Sequence, residues 1–172
     1  MFITLQMDNE EKRLDSLRRL QILDTPREER FDRITRKACE LLRVPYAMIG
    51  FVEENRVWYK SNQGFPAAME PRNQSFCAYS ILHTEVFHVP DTREDVRFST
   101  NPWVKGRPFV RMHASCPIFS SGGEAVGALI VNDTLPWVLN REETKTLMLL
   151  AGWVEEELKR EGDSAGNNVH IL

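Results

Sequence analysis

The stretch that most constrains the fold is residues 109–133, FVRMHASCPIFSSGGEAVGALIVND. It reads as two strands joined by a tight turn over 120–123, where glycine accepts positive φ at no steric cost. In the first strand Val110, Met112, Ala114, Cys116 and Ile118 alternate with Arg111, His113 and Ser115. A period of two sends these sets to opposite faces of a sheet. One face is therefore apolar, and the other carries polar groups near mid-strand. The second strand, 125–131, is apolar on both faces, which predicts a central position covered on both sides.

The rest of the chain supplies candidates for the two covers. Residues 10–20 favour a helix, with Leu14, Leu17 and Ile22 apolar among charges. Thr25, Pro26 and Glu28 have the form of a capping box opening a second helix, which ends near Arg43. Its apolar stripe is Phe31, Ile34, Ala38, Leu41 and Leu42. Residues 46–52 read as a buried strand and 56–61 as its hairpin partner; Arg56 and Lys60 place that partner nearer an edge. Residues 62–108 form a long crossing piece with a short helix over 75–82 and a short strand over 85–89. Such length in a compact domain points to function or mobility, and Phe76, Ile81, Phe98 and Trp103 anchor it as a structured cover. In the same piece Asp91, Arg93, Asp95 and Arg97 are spaced to pair with one another. Asn140 and Glu143 cap a final helix whose buried stripe is Leu147, Leu150, Ala151, Val154 and Leu158. Asn132 and Asp133 are expected to satisfy backbone groups where the second strand ends.

The order helix, helix, strand, strand, cover, strand, strand, helix is not that of a parallel doubly wound sheet. It predicts an α+β domain over 10–160, flanked by flexible segments 1–9 and 161–172. The sheet is antiparallel, with terminal helices on one face and the cover on the other. A net charge of −3 with mixed signs gives no footprint for nucleic acid. No apolar run is long enough to span a bilayer, and the first residues lack the pattern of a secretory signal. Three cysteines without a CxxC motif suit a reducing cytoplasm.

The segments RLDSLRRLQILDTPREERFDRITRKACELL, YAMIGFVEENRVWYKSNQG, PRNQSFCAYSIL, DTREDVRFSTNPWV and CPIFSSGGEAVGALIVND resemble the GAF domain, from about Leu14 to Lys159. The variant is the sensor type found beside histidine kinases and diguanylate cyclases. The resemblance implies a GAF-like, PAS-related antiparallel sheet of five or six strands. It further implies terminal helices that pair as a homodimer, a ligand cavity under the cover, and a signalling output protein as partner. It leaves the ligand and any cofactor unknown, because one fold serves many functions.

Within that frame the candidate ligand-binding residues are Phe76, Cys77, Tyr79, Asp91, Phe98, Trp103, Arg111, His113 and Ser115. Arg111 either receives a carboxylate or phosphate in its planar fork or pairs with Asp91 or Asp95 to pin the cover. Trp103 and Tyr79 either stack on a planar ligand or plug the cavity. Trp58 belongs either to the cavity wall or to the edge of the helix layer. Cys77 and Cys116 are weak catalytic candidates: were they to meet across the cavity, the chain would be a redox enzyme of the free methionine-sulfoxide reductase type. The competing expectation is small buried hydrophobes. No histidine and carboxylate cluster has metal-ligand spacing. No nucleophile elbow, P-loop or HExxH is present. A third alternative is a ligand-free dimerisation domain, which the broad apolar face Leu147, Leu149, Leu150, Trp153 and Val154 also suits.

Overall fold

The computed structural model describes residues 2–167, and side chains for 9–160. The elements run α1 (Phe2–Arg19), α2 (Glu29–Leu42), β1 (Tyr46–Val52), β2 (Arg56–Gln63), β3 (Met69–Pro71), α3 (Cys77–Ser80), β4 (Phe87–Val89), α4 (Pro102–Lys105), β5 (Met112–Phe119), β6 (Ala125–Asp133) and α5 (Arg141–Asn167). The six strands form one antiparallel sheet in the order β3-β2-β1-β6-β5-β4. β6 is central, as its two apolar faces require. α1 takes in residues 2–9 of the segment expected as an arm, and α5 reaches into the expected tail. The side chains of 1–8 and 161–172 lie outside the described residues.

The alternation along β5 divides the interior into two cores. Met112, Ala114, Cys116 and Ile118 join Ala47, Ile49, Phe51, Trp58, Leu129 and Val131 against α2 and α5. Met48, Val52, Val57, Tyr59, Ala128 and Ile130 face the cover and meet Phe65, Phe76, Phe87, Phe98 and Val104. Trp58 therefore belongs to the helix layer.

Two local expectations are corrected. α2 begins at Glu29, after an N-cap that makes no side-chain bond, and not at Pro26. Thr25 and Pro26 are taken up by Lys60, whose Nζ donates to Thr25 Oγ1 at 2.8 Å and to the Pro26 carbonyl. Lys60 is itself fully buried and pairs with Glu28 at 2.7 Å. A lysine that the sequence marks as an edge residue instead holds the chain ahead of α2 onto the sheet. A register shift in β2 opposite Ile49 and Gly50 helps this: Ser61 also turns to the helix side, donating to Asp32 Oδ1 at 2.6 Å. The helical piece of the cover is also shorter than 75–82. The cap of α5 is as expected, with Glu143 N–H donating to Asn140 Oδ1 at 2.8 Å.

Candidate functional site

The cover encloses a cavity against the sheet. Its lining includes Met48, Tyr59, Phe65, Glu70, Ser75, Phe76, Cys77, Trp103, His113, Ile130 and Asn132, and its free volume is about 10 Å³. That is space for roughly one water molecule. Rings fill most of the layer: Phe76 lies 4.5 Å from Phe98 and stacks on His113 at 4.8 Å, while Phe65 and Trp103 meet edge to face at 5.0 Å.

Two polar groups are set into this apolar layer. His113 stands opposite Asn132 in the β5–β6 ladder. Its Nδ1 meets Asn132 Oδ1 at 2.8 Å and its Nε2 meets Ser115 Oγ at 2.9 Å. An amide oxygen only accepts, so Nδ1 carries the proton and Nε2 accepts the serine hydroxyl. Burial holds this imidazole down to about 3, against the help of the Asn132 bond and with a further push from His88, so it is neutral.

The second group is Glu70, on β3 and 5% exposed. Trp103 Nε1 donates to its Oε2 at 2.6 Å, and the nearby hydroxyls of Ser75 and Tyr59 also help to hold its carboxyl down. Burial raises its carboxyl above the ordinary range, against these donors. Burial likewise pushes Tyr59 up, with Glu70 adding to the effect. A carboxyl raised on folding favours the folded state most fully below its unfolded value. That contribution is lost as pH rises through the folded value. At neutral pH, then, Glu70 costs stability. Glu70→Gln keeps an acceptor for Trp103 and drops the charge. It is expected to raise the melting temperature at pH 7–8 by several degrees, about 1–2 kcal/mol, with the gain gone near pH 4. A variant that melts lower than wild type at pH 8 would show that the carboxylate is stabilising.

Of the residues singled out from sequence, Phe76, Cys77, Trp103 and His113 line the cavity. Ser115 bonds His113, and Phe98 packs behind Phe76. Tyr79 lies outside the cavity: its half-buried ring packs edge to face on Phe98 at 5.0 Å, and it lines a separate open cleft of about 630 Å³ with Ala78, Leu82 and Arg72. Arg111 lies outside the cavity. Its Nη1 donates to the Val104 carbonyl at 2.8 Å, clamping α4 to the end of β5. Asp91 is also outside, paired with Arg93 at 2.8 Å, while Asp95 holds Arg97 at 2.7 Å. These pairs brace the cover internally, as their spacing predicts. Arg97 further lies over the rings of Tyr79, Phe87 and Phe98. Asp133 takes the N–H groups of Thr134, Leu135 and the Trp137 ring, whereas Asn132 turns inward to His113.

The sheet separates the two cysteine candidates. Cys77 packs in the cover-side core and Cys116 in the helix-side core, so they do not meet across the cavity. Burial pushes all three thiols up: Cys77 furthest, Cys116 to about 11 with help from Glu155, and Cys39 as well. None is a ready thiolate at neutral pH.

Sequence reasoning missed Tyr59, Glu70, Ser75 and Asn132. Period two along 56–61 already sends Tyr59 to the face opposite Trp58, and the hairpin register brings Asn132 opposite His113. Glu70 carries no such signal, because it lies on a three-residue strand inside the cover.

A six-stranded antiparallel sheet with long helices on one face and a folded cover on the other defines the class. The chain matches the GAF domain family model over residues 26–158 and belongs to that family. It is 34% identical over 129 residues to a cyclic di-GMP phosphodiesterase of Pseudomonas aeruginosa. That match covers 75% of this chain but only 22% of the length of that relative. Among solved structures it is similar to the GAF domain of a phosphoenolpyruvate-protein phosphotransferase from Coxiella burnetii. The TM-score is 0.65 at 15% identity, covering 91% of this chain and 99% of that one. It is similar too to a free methionine-R-sulfoxide reductase from Neisseria meningitidis solved with its substrate. There the TM-score is 0.63 at 14% identity, covering 79% and 81%. At such identities these two share a fold with this chain, and family membership supports a sensor or signalling role. Among the described residues no helix is long and apolar enough to cross a membrane.

Proposed function

We propose that this chain is a cytoplasmic sensor module that takes a small molecule into the cover-side cavity and signals through its terminal helices. The observation that carries this reading is the enclosed polar set. A plug that merely filled the layer would be apolar, since a buried carboxyl without a cation destabilises a fold. Glu70, Tyr59, Ser75 and the His113–Asn132 pair are what a ligand-orienting lining needs: a few placed polar groups among rings.

At about 10 Å³ the cavity admits a metabolite only when the cover moves. α3 is the wall that separates it from the outer cleft, with Phe76 and Cys77 at the inner side and Ala78, Tyr79 and Leu82 at the outer. Ser80 Oγ is buried there without a hydrogen-bond partner among the described residues, so the closed seat of α3 is not fully satisfied. A contact route leads on to α1: Arg72, two residues after Glu70, pairs with Glu10 at 2.5 Å, and Glu10 also holds Arg13 at 2.8 Å. Binding signals only insofar as the ligand prefers one arrangement of the cover. Native mass spectrometry of the untreated protein, followed by a metabolite thermal-shift screen, tests the reading. A retained or stabilising ligand is expected; neither a retained mass nor any shift would overturn it.

Pairing of two copies through the helix layer belongs to the same proposal. Leu149 is 59% and Trp153 45% exposed on α5, and Met148 is exposed beside them. Leu149→Glu with Trp153→Glu is expected to turn a concentration-dependent dimer into a monomer in sedimentation. A wild type that stays monomeric up to high micromolar concentration would refute it. The output partner is proposed to be a signalling enzyme, as the resemblance to a cyclic di-GMP phosphodiesterase suggests. The alternative of a cysteine redox enzyme is not favoured, given thiols that are buried, raised and divided by the sheet.

A further inference from the structure

We infer that the cavity recognises a small organic cation, an alkylammonium group held between the Glu70 carboxylate and the surrounding aromatic rings. This rests on the reading of the cavity as the ligand site and adds the charge and class of what enters it.

Charge balance is the first argument. Every described group that favours the charged form of Glu70 is neutral: the Trp103 ring N–H, which donates to it at 2.6 Å, and the nearby hydroxyls of Ser75 and Tyr59. No lysine or arginine is among the described residues that line the cavity or pair with this carboxyl. The Trp103 N–H takes one of the roughly four lone-pair directions of a carboxylate, leaving room for an incoming N–H. His113 adds no positive charge, because both ring nitrogens are engaged and the ring is neutral. A phosphate or carboxylate ligand would thus be buried against a like charge with nothing to offset it. The one arginine that could have received an anion, Arg111, is spent on the Val104 carbonyl outside the cavity.

Shape is the second argument. Tyr59, Phe65, Phe76 and Trp103 wall the same space, with Met48 beside them. Tyr59 and Phe65 stand 6.3 Å apart at 77°, and Phe65 and Trp103 5.0 Å apart at 63°, so ring faces and edges meet from several directions. A cation among such rings is attracted by their quadrupoles, and more so when desolvated. A carboxylate plus rings is complementary to an ammonium head bearing carbon substituents. A metal ion would find only one carboxylate there.

The site also sets a pH dependence. The titratable groups facing Glu70 are Tyr59 from β2, Cys77 from α3 and His113 from β5, with Arg13 and Arg72 acting on Cys77 from further off. Tyr59 and Cys77 are pushed up and His113 is held down to about 3, which leaves Glu70, raised by burial, as the lining group whose charge governs cation binding above that range. Cation affinity therefore rises with pH, and binding below the folded value of Glu70 releases a proton.

Calorimetry and thermal shift on the whole chain test this, with methylammonium, tetramethylammonium and choline as probes. The controls are 3,3-dimethyl-1-butanol, the uncharged analogue of choline, together with acetate and inorganic phosphate. At least one cation is expected to bind about tenfold or more tightly than the uncharged analogue. Its affinity is expected to fall about tenfold in Glu70→Gln and to stay unchanged in Arg93→Ala, whose ion pair with Asp91 lies outside the cavity. Glu70→Gln is itself expected to be more stable than wild type at neutral pH, so loss of binding there is not loss of fold. Equal binding of the uncharged analogue, binding of either anion, or undiminished cation binding by Glu70→Gln overturns the assignment. If a neutral or anionic metabolite binds instead and is lost in Ile130→Phe, which fills the cavity, the ligand class fails while the sensor reading stands. If nothing binds, both fail.

Discussion

Gly127→Ala is expected to lower the melting temperature by about 10 °C or more, a loss of about 3–5 kcal/mol. Gly127 sits in the central strand β6, between β1 and β5, facing Phe51 and Ile118. A Cβ added there would stand 2.1 Å from the Gly50 carbonyl oxygen and 3.1 Å from the Phe51 Cα. Both neighbours are backbone, so relief comes only by moving β1 away from β6. That movement stretches ladder hydrogen bonds, each worth about 1 kcal/mol net, and opens both cores at once. The strand is already irregular here. Val126 and Leu129 both face the helices, and the register against β5 shifts beyond Ile118. Glycine at a bulge marks close backbone approach. Gly152→Ala is the matched control: its Cβ meets nothing within 4 Å on α5, and it is expected to stabilise by about 0.5–1 kcal/mol. Urea midpoints of the two variants check the pair. A Gly127→Ala protein melting within a degree or two of wild type would mean that the sheet relaxes far more cheaply than this packing allows.

How much of this was legible in the sequence follows from which physical constraint acts on which residue. The hairpin register is strongly specified, because a one-residue slip would turn Met112, Ala114 and Cys116 toward the wrong core. His113 and Ser115 could therefore be placed from alternation alone. Arg111 could not, because β5 begins at Met112 and Phe109 adopts a positive φ of 59° just before it. The alternation does not extend back across that turn, and the guanidinium points along the cover rather than into the cavity. The same limit applies to charge. Lys60 and Glu70 are ordinary surface residues by type, and each is buried only because a partner far along the chain reaches it. Trp103 is 33 residues from Glu70, and Thr25 is 35 from Lys60. No local pattern encodes such a pairing. The capping-box signal at Thr25 was real chemistry put to another use, with the hydroxyl taken by a buried ammonium instead of a helix end.

These long-range polar contacts also explain why the fold was easier to read than the site. Both cores follow from periodicity, which is a local property of each strand and helix. The cavity chemistry depends on three segments of the cover, at Glu70, Ser75 and Trp103, converging on one strand position. Their convergence is set by the apolar anchors around them: Phe65 against Trp103, and Phe76 against Phe98. The anchors could be named from sequence, but not what they would carry inward with them.

His113→Gln is expected to remove most of the pH dependence of stability that the wild type shows between about pH 6.5 and pH 3. In the folded chain the ring is enclosed by Phe76, Phe87, Asn132 and Ser115, and burial keeps it neutral down to about 3. In the unfolded chain it takes a proton near its ordinary value of 6.5. Its stabilising contribution is therefore complete above about 6.5 and is lost progressively as pH falls toward the folded value. Each pH unit within that window costs about 1.4 kcal/mol, so the loss reaches a few kcal/mol by pH 4. Other groups titrate in the same range. His88 is also held down by burial and acts in the same direction, while Glu70 acts in the opposite one. Both are present in wild type and variant alike, so the difference between the two proteins isolates His113. At pH 7 glutamine keeps a donor and an acceptor for Asn132 and Ser115 but loses the stack on Phe76, at a cost of about 1–2 kcal/mol. His113→Ala leaves both polar partners unmet beside a void and is expected to cost about 3–5 kcal/mol. Urea titrations at pH 7 and pH 4.5 decide the matter. Equal acid losses in wild type and His113→Gln would place the acid sensitivity elsewhere. A wild-type loss larger by about 2 kcal/mol would locate it in the ring that stacks on Phe76, at the point where protonation would drive the cover off the sheet.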